Sequence, residues 1–196
     1  MTKAMGMRGV VEAVFWKPEI TVLIRQIDVL TPIRWARITR NEVKTIVTDD
    51  WLTKARTDPG HRFDAAEDRD QRSTLLLRDV RYRVRFQYVT RPHATEPVAK
   101  YRDQFRRRVE RGACYQQPFL GTREFSAAFG PAASDPPEPV DLDPFVMLHS
   151  IAYGDRGQET YSWFLAEVRR GVLDVPSHGI ELGNPAHCRT AARAGA

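Results

Sequence analysis

The sequence predicts a basic α+β fold, and three stretches predict it. Val80, Tyr82, Val84, Phe86 and Tyr88 alternate strictly with Arg81, Arg83, Arg85 and Gln87, the period of a half-buried strand. Met7, Val10, Val11, Val14 and Phe15 recur at three- and four-residue spacing, which places them on one face of a helix. Val98, Tyr101, Phe105 and Val109 do the same after Pro97.

In chain order, the first helix opens almost at Met1 and is stopped by Pro18, which cannot continue it. The β-branched run Ile20–Leu30, ended by Thr31-Pro32, reads as a strand. Ile33–Leu77 holds an arginine-dotted segment, Arg34–Asn41, and a polar region from Asp58 to Arg72 without periodicity, expected to be loop. After the Val80–Tyr88 strand, Thr95 is the expected cap of the second helix, Pro97 lies in its first turn and Gly112 ends it. Residues 114–129 read as a turn followed by a short apolar strand. Gly130–Pro144, with five prolines and four acidic residues, reads as a linker or surface loop. A strand at Phe145–Tyr153, a helix at Gln158–Arg170 ended by Gly171 and a short strand at Val172–Val175 follow. The resulting division is 1–129 as the main domain, 130–144 as linker or loop, 145–176 as a small C-terminal α+β part and 177–196 as a disordered tail.

Charge is unevenly spread over the 196 residues. The nets are +3 over 1–60, +6 over 61–130 and −4 over 131–196, and 25 of the 30 cations are arginine, whose planar fork suits phosphate. Nucleic acid is the leading partner class; an arginine-rich solvated surface is the alternative. On the Val80–Tyr88 strand the three arginines stand about 7 Å apart, close to the phosphate spacing of an extended single strand. That face either tracks a nucleic acid backbone or is a solvated sheet face. Lys100, Arg107 and Arg111 form a basic face on the second helix, apart from its apolar stripe.

Several chemistries lose weight. The five histidines are scattered, and neither Cys114 nor Cys188 has a partner two to four residues away, so no metal site is expected. There is no phosphate-cradling glycine loop and no glycine-framed serine nucleophile, so no cofactor is expected. No apolar stretch approaches the length of a membrane span, and the two cysteines are too few to frame a secreted fold. A cytoplasmic protein with free thiols is the expectation.

Several co-ordered motifs carry more specific information. They are Met7–Pro18 (Met-Arg-Gly-Val-Val-Glu-Ala-Val-Phe-Trp-Lys-Pro), Val29–Arg34, Arg40-Asn41-Glu42-Val43, Gln71–Leu75, Leu77–Tyr82 and Gln117–Phe125. Together they resemble the Dvulg-subtype (type I-C) CRISPR-associated repeat-processing endoribonucleases of the RAMP superfamily, over roughly residues 7–176. The resemblance implies a ferredoxin-like (RRM/RAMP-type) domain with a small β-rich C-terminal part. It further implies metal-free cutting of the repeat hairpin of CRISPR precursor RNA, after which the protein stays on the 5′ handle with the other subunits of the interference complex.

That family's catalytic trio is a tyrosine just before Trp-Lys-Pro and an adjacent Lys-His pair on the second helix. By position these correspond to Phe15, Lys100 and Tyr101, so only the lysine keeps its identity. Metal-free cleavage needs a base for the 2′-OH, an acid for the 5′-oxygen and a cation for the phosphorane. Phe15 can supply neither proton step, and core packing at the helix end is the favoured reading for it; Tyr101, on the apolar stripe, is equally read as core or as a proton-transferring group. Tyr101, a phenol with an ordinary pKa near 10, is a poorer base at neutral pH than histidine at about 6.5. The implied RNA-binding residues are Arg81, Arg83, Arg85, Arg107, Arg111 and Arg123. Repeat cleavage and non-catalytic handle binding are both compatible with these residues. A chain opening on the first helix is also expected to lack the first ferredoxin strand, leaving Val80–Tyr88 and Phe119–Phe125 without a shared neighbour.

Overall fold

The computed structural model describes residues 4–154 and 158–181. The chain divides into two compact units: one combines the residues up to Pro32 with those from Val80 onward, and the other is Ile33–Asp79. These boundaries differ from the division at 130–144 expected from composition.

The first unit is a sheet with helices on it. Helix α1 spans Ala4–Val14, strand β1 Ile20–Val29. Ala4, Met7, Val11 and Val14 are the buried positions of α1, the helical spacing legible in the sequence. The amides of Tyr115 and Gln116 both donate to the Ala13 carbonyl (3.0 Å each), and Arg108 Nη1 donates to that of Val14 (3.2 Å), satisfying acceptors that a helix end leaves open.

In the second unit, strands β2 (Arg34–Val43) and β3 (Arg69–Arg78) form a two-stranded antiparallel ladder. Helix α2 (Asp49–Thr57) lies between them in sequence, its N-terminus capped by Thr48 Oγ1, which accepts from the Trp51 amide (3.3 Å). Residues 33–79 contain no buried side chain, which is why hydrophobic periodicity did not reveal them. Residues 69–72, expected as loop, are strand because they pair with Arg40–Val43.

The first unit resumes with β4 (Tyr82–Thr90), α3 (Val98–Glu110), β5 (Leu142–Tyr153), β6 (Glu159–Arg169), β7 (Val172–Asp174) and β8 (Ile180–Glu181). The sheet order is β4-β1-β7-β6-β5 with β8 added on β6, and every pairing is antiparallel. Strand β4 thus has β1 as its sheet neighbour and stands at the end of this order. Met7, Val11 and Val14 pack with Ile20, Val22, Ile24 and Ile27 of β1, Met147 of β5 and Phe164, Ala166 and Val168 of β6 to form the core.

Several expectations are corrected. The helix expected over Gln158–Arg170 is strand β6: Phe164, Ala166 and Val168 are buried on one face, while Leu165 on the other is exposed. Apolar residues on both faces hid the two-residue period, and pairing with β5 and β7 decides the conformation. The C-terminal part therefore contains strands and no helix among its described residues, and it shares the sheet of β1. Helix α3 is capped at Pro97, which makes no side-chain cap bond, so Thr95 lies outside the helix; its apolar stripe starts at Tyr101, because Val98 is exposed. Phe119–Phe125 is not a strand; only an isolated bridge joins Phe119 to Ser126. Residues 142–144 belong to β5 rather than to a linker, and Ile180–Glu181 form a short strand where tail was expected; residues 182–196 of that tail, with Cys188, lie outside the described residues. Cys114 is a free thiol. No helix among the described residues is long and apolar enough to cross a membrane.

Candidate nucleic-acid interface and active site

The arginine row of β4 is held by a carboxylate that sequence reading passed over. Asp28, within the apolar run of β1, is fully buried. Its Oδ2 accepts from Arg83 Nε (2.7 Å) and lies 2.6 Å from Arg83 Nη2, while its Oδ1 accepts from Gln26 Nε2 (2.6 Å). Register explains the match, because Asp28 stands directly opposite Arg83 in the β1–β4 ladder. Arg83 Nη1 also donates to the carbonyls of Ala133 (3.0 Å) and Asp135 (2.9 Å), fastening the irregular 131–141 segment to the sheet. Arg83 thus has a protein partner for each of its guanidinium nitrogens. Arg81 pairs with the Asp135 carboxylate (2.5 Å) and remains half exposed; Arg85 is more exposed, 3.8 Å from Asp28 Oδ2. The polar residue inside an otherwise apolar strand was the available signal for Asp28.

Helix α3 presents a second basic surface. Arg107 and Arg111 are exposed and, like Arg123 further along the chain, have no ion-pair partner among the described residues. Arg106 is neutralised in part by Asp103 (3.6 Å) and Glu110 (3.9 Å). Arg108 turns inward, its guanidinium 5.6 Å from the Phe15 ring centroid.

The three positions of the expected trio differ in kind. Phe15 is buried just beyond α1, with its ring edge-on to Tyr88 at 6.3 Å between centroids. Phe86, Tyr88 and Phe105 continue that aromatic cluster. Lys100 is exposed and holds Glu96 one turn earlier at 2.5 Å. Tyr101, its chain neighbour, points the other way into the core. Burial pushes the Tyr101 phenol up from its ordinary pKa; the charges of Glu19 and Glu96 add to this, and Lys100 and the Glu96 amide oppose it. The structure therefore exposes Lys100 at the start of α3, turns its chain neighbour Tyr101 into the core and uses Phe15 as packing.

Two further residues were missed. The Tyr88 hydroxyl is buried without a hydrogen-bond partner, and burial, with the charge of Glu12, pushes its pKa far up. Glu19, immediately before β1, has its Oε2 sealed from solvent with no partner. Neither is visible in a sequence, since each depends on what the fold places around it. A cavity of about 410 Å³ elsewhere in this unit is lined by Arg8, Arg25, His149 and His178, among others. Arg8, Arg25 and His149 there are already bonded to Glu12, to Gln87 and to Ser150 and the Pro176 carbonyl. Among the described residues, no group of three or more His, Cys, Asp or Glu side chains is placed to hold a metal ion.

Comparison with known proteins gives the arrangement its context. The CRISPR-associated protein family Cas5d (Cas_Cas5) matches residues 2–176. The CRISPR pre-crRNA endoribonuclease Cas5d of Thermus thermophilus is 37% identical over 193 residues, covering 87% of this chain and 77% of its own. That of Mannheimia succiniciproducens is 35% identical over 182 residues, covering 86% and 80%. Among solved structures, a CRISPR-associated protein superposes with a TM-score of 0.62 at 17% identity, covering 90% of this chain and 80% of its own. The functionally uncharacterized protein SMU1763c from Streptococcus mutans gives 0.61 at 18%, covering 89% and 79%. The two structures share the fold; the extent of the sequence match settles the relationship, and the chain belongs to the Cas5d family of CRISPR-associated proteins.

Proposed function

We propose that this chain binds the repeat hairpin of CRISPR precursor RNA and cleaves it by metal-independent acid–base chemistry, then remains on the 5′ handle as a subunit of the type I-C interference complex. Its relationship to two pre-crRNA endoribonucleases over most of its length carries this reading. Lys100, exposed at the head of α3, supports it. The Nζ of Lys100 supplies the positive charge that a pentacoordinate phosphorane needs, and Tyr101 supplies a proton for the 5′-oxygen. Arg81, Arg85, Arg107, Arg111 and Arg123 bind the RNA backbone, while Arg83 fixes the row through Asp28. We read α1, β1, β4 and α3, a helix–strand–strand–helix succession with the two strands antiparallel, as the corresponding part of a ferredoxin-like domain.

A second reading, a handle-binding subunit without catalysis, is favoured by the burial of Phe15 and of Tyr101. Single-turnover incubation of the protein with its own repeat RNA in excess chelator separates the two. Cleavage that falls in Lys100→Ala supports the endoribonuclease. Tight hairpin binding without cleavage supports the handle-binding subunit.

A further inference from the structure

The sheet opens between β1 and β6. Strand β7 bridges the two only at Gln26–Asp28 of β1 and at Val168 and Arg169 of β6. Past Val175, whose amide donates to the Arg25 carbonyl (2.8 Å), the chain leaves β1 and rejoins β6 as β8, opposite Ser162 and Trp163. Along Val22–Ile24, β4 is therefore the only strand neighbour of β1 among the described residues. An antiparallel strand turns the N–H and C=O of every second residue away from its partner, so at least one such pair in Val22–Ile24 faces the opening. The opening is the cavity of about 410 Å³, lined by Val22–Ile24, by Arg8 of α1, His149 of β5 and Ser162 of β6, and by residues 175–179. Its volume falls in the range of roughly 300–1,000 Å³ that small ligands fill. Main-chain polar groups in the middle of a sheet call for a polar partner.

The side chains specify which partner. Two guanidiniums line the cavity, each held along one edge by the protein. Arg25 places Nε (3.3 Å) and Nη2 (3.0 Å) on Gln87 Oε1, and Arg8 places Nε on Glu12 Oε1 (2.8 Å). Among the described residues, Nη1 of Arg25 and both Nη groups of Arg8 make no hydrogen bond, so each fork is oriented and still has donors to give. Glu181 is the one carboxylate of the lining. Two positive charges against one negative charge suit a single phosphate rather than a polyphosphate chain. Val22, Ile24, Val175 and Pro176 add apolar wall, and the hydroxyls of Ser162 and Ser177 add donors and acceptors. A flat group with an apolar face and a polar edge, as in a nucleobase, matches that lining. The 175–179 wall is fixed in place: the Pro176 carbonyl lies 3.0 Å from His149 Nε2. At Gly179 a Cβ would lie 2.8 Å from that of His149 and 2.9 Å from that of Ser162, so only glycine allows this approach.

We propose that this cavity binds one nucleoside monophosphate unit, its phosphate on the Nη groups of Arg8 and Arg25 and its base between the apolar walls, with the base edge against the main chain of β1. The unit comes either from an unpaired stretch of RNA or from a free nucleotide; the chemistry recognised is the same, and the experiment separates the two sources. None of Phe15, Lys100 and Tyr101 lines the cavity, so this site is independent of the cleavage reading.

The test is calorimetric titration of the full chain with AMP, CMP, GMP and UMP, with inorganic phosphate as the anion-only probe, while the histidine ring signals are followed by NMR. Saturable one-to-one binding of at least one nucleotide is expected, at least about tenfold tighter than phosphate, with the His149 and His178 signals moving along the same isotherm. Arg8→Ala and Arg25→Ala are each expected to weaken it by about 10–100-fold. Arg25→Lys, which keeps the charge and loses the fork, loses less than Arg25→Ala. Arg106→Ala, a charge removed from the surface of α3, stays within about twofold of wild type. A single-stranded oligoribonucleotide that displaces the nucleotide identifies the unit as part of an RNA chain. A nucleotide that stays bound beside the RNA identifies a free-nucleotide site, and either result supports the assignment. Phosphate bound as tightly as every nucleotide overturns it, as does wild-type affinity in both alanine variants. His149 and His178 signals unmoved by all four nucleotides also overturn it, and this readout uses the wild type alone, so it does not depend on the folding of any variant. Loss of RNA cleavage or its presence enters none of these outcomes.

Discussion

Replacing Asp28 by alanine tests whether the arginine row is a structural assembly before it is a surface. Asp28 is fully buried and the Arg83 side chain is 15% exposed, so the pair has exchanged water for each other almost completely. Removing the carboxylate leaves a guanidinium facing a sealed interior and strands the Gln26 amide as well. Breaking a buried pair in this way costs about 3–5 kcal/mol. In a folded body of this size each kcal/mol moves the melting temperature by roughly 2–4 °C, so the expected drop is about 6–20 °C. The control is Asp135→Ala, which breaks the Arg81 pair. Its side chains are 53% and 51% exposed, and solvent screening holds such a pair to about 0–1 kcal/mol. Urea denaturation and thermal melts of both variants give the comparison. The double variant Asp28→Leu/Arg83→Met is expected to recover most of the loss, because two apolar side chains can replace a buried pair at little cost. A penalty for Asp28→Ala no larger than that for Asp135→Ala would refute the claim that burial distinguishes the two pairs.

Gly171 has φ of +74°, and a Cβ there would lie 2.1 Å from the Glu138 carbonyl oxygen, so Gly171→Ala is expected to cost at least about 2 kcal/mol in denaturant unfolding. Tyr88→Phe removes a buried hydroxyl without a partner and is expected to stabilise by up to about 1 kcal/mol. Because the folded state holds the Tyr88 proton more tightly than the unfolded chain, the wild type is expected to keep full stability below about pH 10 and to lose up to about 1.4 kcal/mol per pH unit above it from this residue; alkaline melts of the phenylalanine variant should fall less steeply. Replacing Arg107, Arg111 and Arg123 together by alanine is expected to weaken hairpin binding across sequences and to flatten its salt slope by up to about 3 units, whereas an unchanged slope would place the RNA elsewhere.

The sequence by itself determined the helix α1, the alternating strand β4, the helix α3 ended at Gly112, the basic character of the middle of the chain and, through its ordered motifs, the family. Each is a local pattern: a period of hydrophobicity, a turn residue or a fixed string. It also showed that Phe15 lacks a proton to transfer. Tertiary structure alone decided the rest. Residues 159–169 carry apolar side chains on both faces, a pattern that helix and strand share, and became β6 only because β5 and β7 offered backbone partners. The β2–β3 hairpin buries no side chain and so left no periodic trace. Arginines 81, 83 and 85 look equivalent in sequence, yet Asp28 opposite one of them binds Arg83 inward and leaves the other two more exposed. Phe15 and Tyr88 are 73 positions apart and meet ring edge to ring face through folding. Whether a charge is desolvated, and what faces it, is set by neighbours distant in the chain, and no local pattern encodes that.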